Sequence, residues 1–298
     1  GVEKDMMKAK YYYELAAQLN DSKAIVCLGH LYLSIQDYGK AKEYFELAAK
    51  YDNSDGLNGL GNLYVYGYGV EKDYQKAREY FEKAIKMNNY EAYNHLGYLY
   101  LYGKGVNKDY TKAKENFELA AEHDISDGLI NLGIVYLNGQ GVKKDYKKAK
   151  ECFEKAASLN NSSALHWLGN IYYNGSGVEK DYFKAREYFE SAIRLNNFDS
   201  LTNLGIIYLK GQGVAKDVKK AKKYFEIGAS HNNDESLNCL GNLYLHGEGV
   251  EQDFKKAKEY YELAIKYDNS NSLTNLGHLY YNGQGVEKDY NKAREYLE

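Results

Sequence analysis

The pair Leu-Gly returns through this chain at a fixed interval, with glycines at Gly29, Gly61, Gly97, Gly133, Gly169, Gly205, Gly241 and Gly277. The first interval is 32 residues and the next six are all 36. A second register, Asp5, Asp37, Asp73, Asp109, Asp145, Asp181, Asp217, Asp253 and Asp289, keeps the same spacing. A period in the thirties with helical patterning marks a stack of supersecondary units, each of which buries its apolar face only against its neighbours. The expectation is an all-α solenoid of antiparallel helix pairs with a 36-residue period. It covers residues 1–298 as one domain of about eight repeats.

Each repeat divides into a helix A and a helix B. In the second repeat, helix A spans roughly Asp55 to Tyr66, with Leu57, Leu60, Leu63 and Tyr64 in one stripe at i, i+3, i+6 and i+7. Gly67 ends it, because glycine enters the left-handed conformation without a Cβ clash. The loop Gly67-Tyr68-Gly69-Val70 follows, with Val70 folding back on the helix ends, and Asp73 caps helix B by accepting from its free first-turn amides. Ala77, Phe81, Ala84 and Ile85 form the buried stripe of helix B, and Glu79 and Lys83 are spaced to pair on its charged, solvated face. Asn pairs such as Asn88-Asn89 close helix B, since Asn tolerates the left-handed region. The first full repeat, Tyr32-Leu33-Ser34-Ile35-Gln36-Asp37, lacks the Gly-x-Gly-Val loop and so turns more tightly, like a tetratricopeptide unit.

Composition agrees. The chain has no Pro, where about 15 would be usual at this length. Its 34 Tyr fall mostly in three repeat columns: three after the Leu-Gly glycine, directly after the capping Asp, and seven after that Asp. Mean hydropathy is −0.68 and no apolar run approaches the ~20 residues of a membrane span. A net charge of −3 leaves no electrostatic footprint for nucleic acid. Gly1 to Asp5 reads as the interior of an inter-helix loop and Asn291 to Glu298 as part of a last helix B, so the expectation is a fragment with both ends cut within a repeat.

Leu132-Gly133, Tyr136, Gly139-Gln140-Gly141-Val142, Asp145, Lys148-Ala149, Phe153 and Ala156-Ala157 together resemble the Sel-1-like repeat family, a relative of the tetratricopeptide repeat. The resemblance covers essentially the whole chain. It implies a right-handed superhelix whose concave face is lined by A helices, and the role of a scaffold or adaptor for other proteins. Cys27, Cys152 and Cys239 lie in three different repeats, which departs from the cysteine-rich branch of that family.

Catalytic and metal patterns are missing. The seven His never stand at i, i+4, and there is no Cys-x-x-Cys. The Gly-x-Gly-Val loops follow a helix and recur seven times, unlike a dinucleotide fingerprint, which follows a strand. No enzyme activity and no cofactor are expected. Dispersed cysteines favour the cytoplasm, while Asn-x-Ser patterns at Asn20, Asn160, Asn161 and Asn174 keep the endoplasmic reticulum lumen or secretion open.

Relative to the Leu-Gly glycine, positions −3, −2 and +1 vary, and the resemblance places them on the concave groove. Of these 21 positions in repeats two to eight, nine are Asn: Asn58, Asn62, Asn94, Asn131, Asn170, Asn203, Asn238, Asn242 and Asn275. Asn is a mediocre helix former, so propensity does not select it. One reading is an amide ladder for the backbone of an extended partner peptide, with Tyr98, Ile134, Trp167 and Ile206 supplying side-chain pockets. The other is that the amides bond adjacent A helices to each other. His95 and His166 in the same columns, with His30 and His278, offer titration near pH ~6.5. The functional expectation is a partner protein or extended peptide on this face. The alternatives are carbohydrate binding in the groove, or a repeat region that positions a catalytic domain absent from this segment.

Overall fold

The computed structural model describes residues 2–298, and the side chains from Asp5 onward. Among the described residues there are seventeen helices and no strand. The chain divides into two compact units, residues 1–159 and 160–298. The first contains α1 (Val2–Gln18), α2 (Ser22–Ser34), α3 (Tyr38–Lys50), α4 (Ser54–Tyr66), α5 (Tyr74–Lys86), α6 (Glu91–Tyr102), α7 (Tyr110–Glu122), α8 (Ser126–Asn138) and α9 (Tyr146–Ser158). The second contains α10 (Ser162–Asn174), α11 (Tyr182–Arg194), α12 (Ser200–Lys210), α13 (Val218–Ser230), α14 (Asp234–His246), α15 (Phe254–Ile265), α16 (Ser270–Asn282) and α17 (Tyr290–Leu297). From α2 onward the even-numbered helices are A helices and the odd-numbered ones B helices. Within each unit, every helix packs chiefly on its neighbours in sequence.

The Leu-Gly glycine seats the helix pair. A Cβ built on Gly97 or Gly133 would lie 2.6 Å from the Phe117 or Phe153 ring of the following helix B. In every repeat the B-helix ring or side chain at this register rests on that glycine, through Phe45, Phe81, Phe117 and Phe153 in the first unit. Phe189, Phe225, Tyr261 and Leu297 do the same in the second. The six Phe rings and Tyr261 are wholly buried. The missing methyl lets the helices approach closely enough to enclose a whole ring.

Local chemistry ends each helix as the sequence predicts. Gly67 sits at φ 75° and Gly69 at φ 66°, both left-handed. The second glycine also lets the loop touch the preceding helix B: a Cβ on Gly105 would stand 2.6 Å from Tyr74 Cβ. Asp73 accepts from the Lys76 amide at 2.9 Å and donates its own N–H to the Tyr64 carbonyl at 3.0 Å. This closes the loop, and the arrangement recurs in both units. In the shorter first repeat, Gln36 takes the left-handed position at φ 62° and Asp37 still bonds the Tyr32 carbonyl at 2.9 Å.

Three local expectations are corrected. Val2 to Asp5 belong to α1, not to a loop; Gly1 lies outside the described residues. The Asn pairs divide their work: Asn88 carries the left-handed turn at φ 62°, while Asn89 accepts from the Ala92 amide at the start of the next helix. The ion pair on α5 is Arg78–Glu82 at 3.3 Å, and Lys83 lies over the Tyr80 ring instead. Lys42–Glu46, Lys114–Glu118 and Lys150–Glu154 repeat that register. Such exposed pairs contribute about 0.3–0.5 kcal/mol each.

Two of the tyrosine columns form one stack. Tyr64 lies on Tyr80 at 5.7 Å with the Lys76 ammonium 4.5 Å above the Tyr64 ring. Tyr208, Tyr224 and Lys220 repeat this in the second unit. Where the second ring is replaced by Asn116 or Cys152, Lys112 and Lys148 still cover Tyr100 and Tyr136. These tyrosines are architecture.

Replacing Gly133 with Ala should therefore cost about 1–3 kcal/mol through overpacking, with no change of backbone region. Combining it with Phe153→Leu should cost less than the sum of the two single changes. Urea unfolding of the four proteins measures both.

Candidate functional site

The A-helix positions predicted to face a partner carry a polar row, and in each unit the row is internally bonded. In the first unit, Asn131 Nδ2 donates to Asn94 Oδ1 at 2.8 Å, from α8 to α6. Asn62 Nδ2 lies 3.4 Å from His95 Nε2, and Asn58 Nδ2 donates to Glu91 Oε2 at 3.4 Å, both from α4 to α6. Asn58 and Asn94 are buried. Tyr98 is half-buried and accepts from the Lys104 ammonium at 2.8 Å, and Ile134 is half-buried one turn beyond Ile130.

In the second unit the bonding is denser. Asn203 Nδ2 donates to Asn170 Oδ1 at 3.0 Å, Asn170 Nδ2 meets His166 Nε2 at 2.9 Å, and His166 Nδ1 meets Ser200 Oγ at 2.9 Å. This chain ties α10 to α12. Asn275 Nδ2 reaches Asn238 Oδ1 at 2.9 Å and Asn242 Oδ1 at 3.4 Å, and Ser272 Oγ also donates to Asn238. Asn242 Oδ1 further accepts from the Tyr261 hydroxyl, the one B-helix ring in that column that is not Phe. Trp167 is half-buried with its ring edge-on to His166, and Ile206 packs against the core around Leu204 and Phe225.

The amides therefore join successive A helices, which accounts for residues of middling helix propensity recurring here: a buried carboxamide between two helices is stable when its partner is another carboxamide. Some hydrogen-bonding capacity is left over. Asn131 uses one of two N–H donors, and Asn58 Oδ1 and Asn62 Oδ1 are buried acceptors without a donor.

Three of the histidines, His30, His95 and His166, are held below the ordinary imidazole value. Burial lowers His30 and His166, and lowers His95 to about 4, with only partial opposition from Asp55, Asp199 and Asp127 respectively. All three are neutral at physiological pH, and burial moves their charge change below the pH ~6.5 of an unperturbed imidazole.

One set of residues escaped the sequence reading. Six positions before the Leu-Gly glycine, on the first turn of helix A, stand Asp55, Glu91 and Asp127 in the first unit and Asp199 and Glu235 in the second. All five keep solvent-facing surface, although the carboxyl groups of Glu91 and Glu235 are set deep enough for desolvation to raise their pKa. Their recurrence at the same 36-residue period was the available signal; it was obscured because acidic residues in a first helical turn are ordinary.

Nothing in the row has the form of a catalytic or metal site. Among the described residues no group of three His, Cys, Asp or Glu converges as a metal requires. Cys27, Cys152 and Cys239 are free thiols, and burial pushes Cys152 up to about 11 and Cys239 up to about 12, away from the thiolate that nucleophilic chemistry needs. Among the described residues no helix is long and apolar enough to cross a membrane.

The Sel1 repeat profile matches residues 1–21, 54–89, 91–125, 126–161, 162–197, 199–233, 235–266 and 270–298. A tetratricopeptide repeat profile matches 22–55, the repeat with the shortened turn. Among solved structures, a Sel1 repeat protein from Oxalobacter formigenes is 33% identical, with 80% of this chain and 96% of that chain covered and a TM-score of 0.69. The protein c5321, a protective antigen of uropathogenic Escherichia coli with the same repeat fold, is 28% identical over 97% of this chain and 70% of that one, with a TM-score of 0.52. The apo quorum sensor NprR from B. thuringiensis, 14% identical over 100% of this chain and 99% of its own at a TM-score of 0.59, shares the fold. No curated protein matches the chain.

His95 gives a measurable consequence. The unfolded imidazole protonates near pH ~6.5 and the folded one near 4. Between those values the unfolded chain binds more protons, so stability falls as pH falls. The loss reaches roughly 2–3 kcal/mol by pH 4. Urea unfolding at pH 7 and pH 4 should show His95→Gln losing less stability than the unaltered chain by about that amount. Glu91, raised by burial and by Asp55 and Asp127, acts in the opposite sense in both proteins.

Proposed function

Because this chain belongs to the Sel1 repeat family, we propose that it is a non-catalytic scaffold that binds a partner polypeptide along the A-helix row of its units. Repeats of this kind mediate protein–protein interaction, and scaffolds built from them are generally without catalytic activity. The observation that carries the reading is the row itself: in each unit half-buried amides, Asn131 with one N–H unused in the first and Asn170 and Asn203 in the second, stand beside half-buried Tyr98 and Ile134 or Trp167 and Ile206. An extended backbone offers one N–H and one C=O per residue, which a carboxamide bonds with little regard to side chain. Aromatic and aliphatic pockets then supply selectivity, Trp167 foremost. The contact residues in this reading are Asn58, Asn62, Asn94, His95, Tyr98, Asn131, Ile134, His166, Trp167, Asn170, Asn203, Ile206, Asn238, Asn242 and Asn275.

Affinity purification from the native source, followed by mass spectrometry, identifies the partner. Changing Asn131 and Asn203 to Ser and Trp167 to Ala should weaken its capture at least tenfold while circular dichroism shows unchanged helical content. Unaltered capture by a folded triple variant removes the row from the binding surface.

A further inference from the structure

The net charge of −3 is not spread evenly along the chain. In the first unit, residues 103–112 and 139–148 are each an A-to-B loop with the first turn of its helix B. They carry Lys104, Lys108, Lys112, Lys143, Lys144, Lys147 and Lys148 against only Asp109 and Asp145. Both carboxylates already serve as caps, accepting from the Lys112 and Lys148 amides at 3.0 Å. The corresponding residues 67–76 are balanced, Lys72 and Lys76 against Glu71 and Asp73. None of the seven lysines joins an ion pair among the described residues, although Lys114–Glu118 and Lys150–Glu154 form on the same two B helices.

Rings, not carboxylates, hold these ammonium groups in place. Lys104 Nζ donates to the Tyr98 hydroxyl at 2.8 Å and lies 4.7 Å from the Tyr98 ring centroid, 5.5 Å from that of Tyr74 and 5.6 Å from that of Tyr102. Lys108 stands over Tyr110, Lys112 over Tyr100 and Lys148 over Tyr136. A ring face attracts a cation through its quadrupole and leaves the charge intact. The two loops form one surface, because a Cβ on Gly141 would collide with that of Tyr110, the ring beneath Lys108.

A second feature, independent of charge, lies at the same place. Tyr66, Tyr68, Tyr98 and Tyr102 fall outside the three tyrosine columns that the fold uses. Tyr102 lies on Tyr98 at 4.6 Å and Tyr66 on Tyr68 at 5.3 Å. Burial, then the neighbouring Tyr98 and Tyr68, raise the Tyr66 hydroxyl while Lys104 lowers it, which sets these groups together. Tyr66, Tyr68 and Tyr102 are exposed. Exposed rings that the fold does not require thus surround a cation that no carboxylate neutralises.

We propose that this loop edge is a second interaction surface, and that it takes an acidic polypeptide segment. Asp and Glu carboxylates of the segment pair with Lys104, Lys108, Lys143 and Lys144, while an apolar side chain covers the exposed tyrosines. Charge complementarity fixes the sign of the partner. The extent of the patch fixes its kind. Duplex nucleic acid presents a charge about every 1.7 Å and calls for a continuous basic track. Here the preceding loop is balanced and the adjoining B helices carry Glu115, Glu118, Glu151 and Glu154. Lysines also cover the faces of Tyr98, Tyr100, Tyr110 and Tyr136, on which bases would otherwise stack. A short acidic segment needs only the two loops. The surface shares Tyr98 with the A-helix row and is otherwise separate from it, so it stands whether or not the row binds a peptide.

A display library of random dodecapeptides is panned on the whole chain and then depleted on the folded variant carrying Lys104→Gln, Lys108→Gln, Lys143→Gln and Lys144→Gln. Depletion separates ligands of this surface from ligands of the row. The peptides that the variant fails to remove should be enriched in Asp and Glu. One of them, made synthetically, should bind the variant at least tenfold more weakly than the unaltered chain, since several exposed pairs each contribute a few-fold. Its binding should weaken from 50 mM to 500 mM salt, and return when the same four positions carry Arg. Lys219→Gln with Lys255→Gln, exposed on B helices of the second unit, should leave it unchanged. Neutral or basic peptides, no peptide that distinguishes the two proteins, or equal binding to the unaltered chain and the folded variant overturns the proposal. So does a 20-nucleotide single strand that binds more tightly than the peptide and displaces it, which assigns the surface to nucleic acid.

Discussion

A ring resting on a glycine holds each repeat together. Helix A gives up a side chain at one position so that the Phe of helix B can lie flat against its backbone, and everything else in the repeat is arranged around that contact. The Ala residues flanking the ring on helix B, such as Ala77 and Ala84 around Phe81, are fully buried because the two helices are then too close for anything larger. The loop must bring helix B back to that seat. The left-handed glycine pair and the bond from the capping Asp to the Tyr carbonyl serve that return. Where Gln36 replaces the glycine pair, the same Asp-to-Tyr bond still forms, so the seat dictates the turn more than the turn dictates the seat.

With the apolar side of helix A committed to that ring, the opposite turns carry what each repeat shows to its neighbours and to solvent. There the amides lie between helices, and the acidic residues lie just outside them. The two sets differ in how they are satisfied. Asn94, Asn170 and Asn238 find partners one repeat away, because a carboxamide both donates and accepts and an identical residue recurs at the right distance. Carboxylates only accept, so a column of them cannot satisfy itself and repels along its length.

Most of the fold was legible in the sequence. The period, the helix stripes, the capping Asp, the helix-ending glycines and the shortened first turn all depend on contacts within about forty residues, which a repeat prints again and again. The amide row was legible as an enrichment. Its bonding was not, because Asn131 and Asn94 are 37 residues apart and nothing in composition says that their side chains meet at 2.8 Å. The helix register of ion pairs was misread by one residue for a similar reason: Lys83 has both Glu79 and the Tyr80 ring within reach, and packing chooses the ring.

The sequence by itself determined a stack of helix pairs, since a strict 36-residue period with small, aromatic and capping residues in fixed columns permits no other way to bury them. Only the tertiary structure decided what the polar columns do. It lowered His30, His95 and His166 below the ordinary imidazole range, because burial disfavours the charged imidazole. It showed the Asn row bonded between helices with specific oxygens left over, and set a line of carboxylates beside it. Those outcomes depend on which side chains from successive repeats come within hydrogen-bonding distance, and that distance is a property of the packed helices.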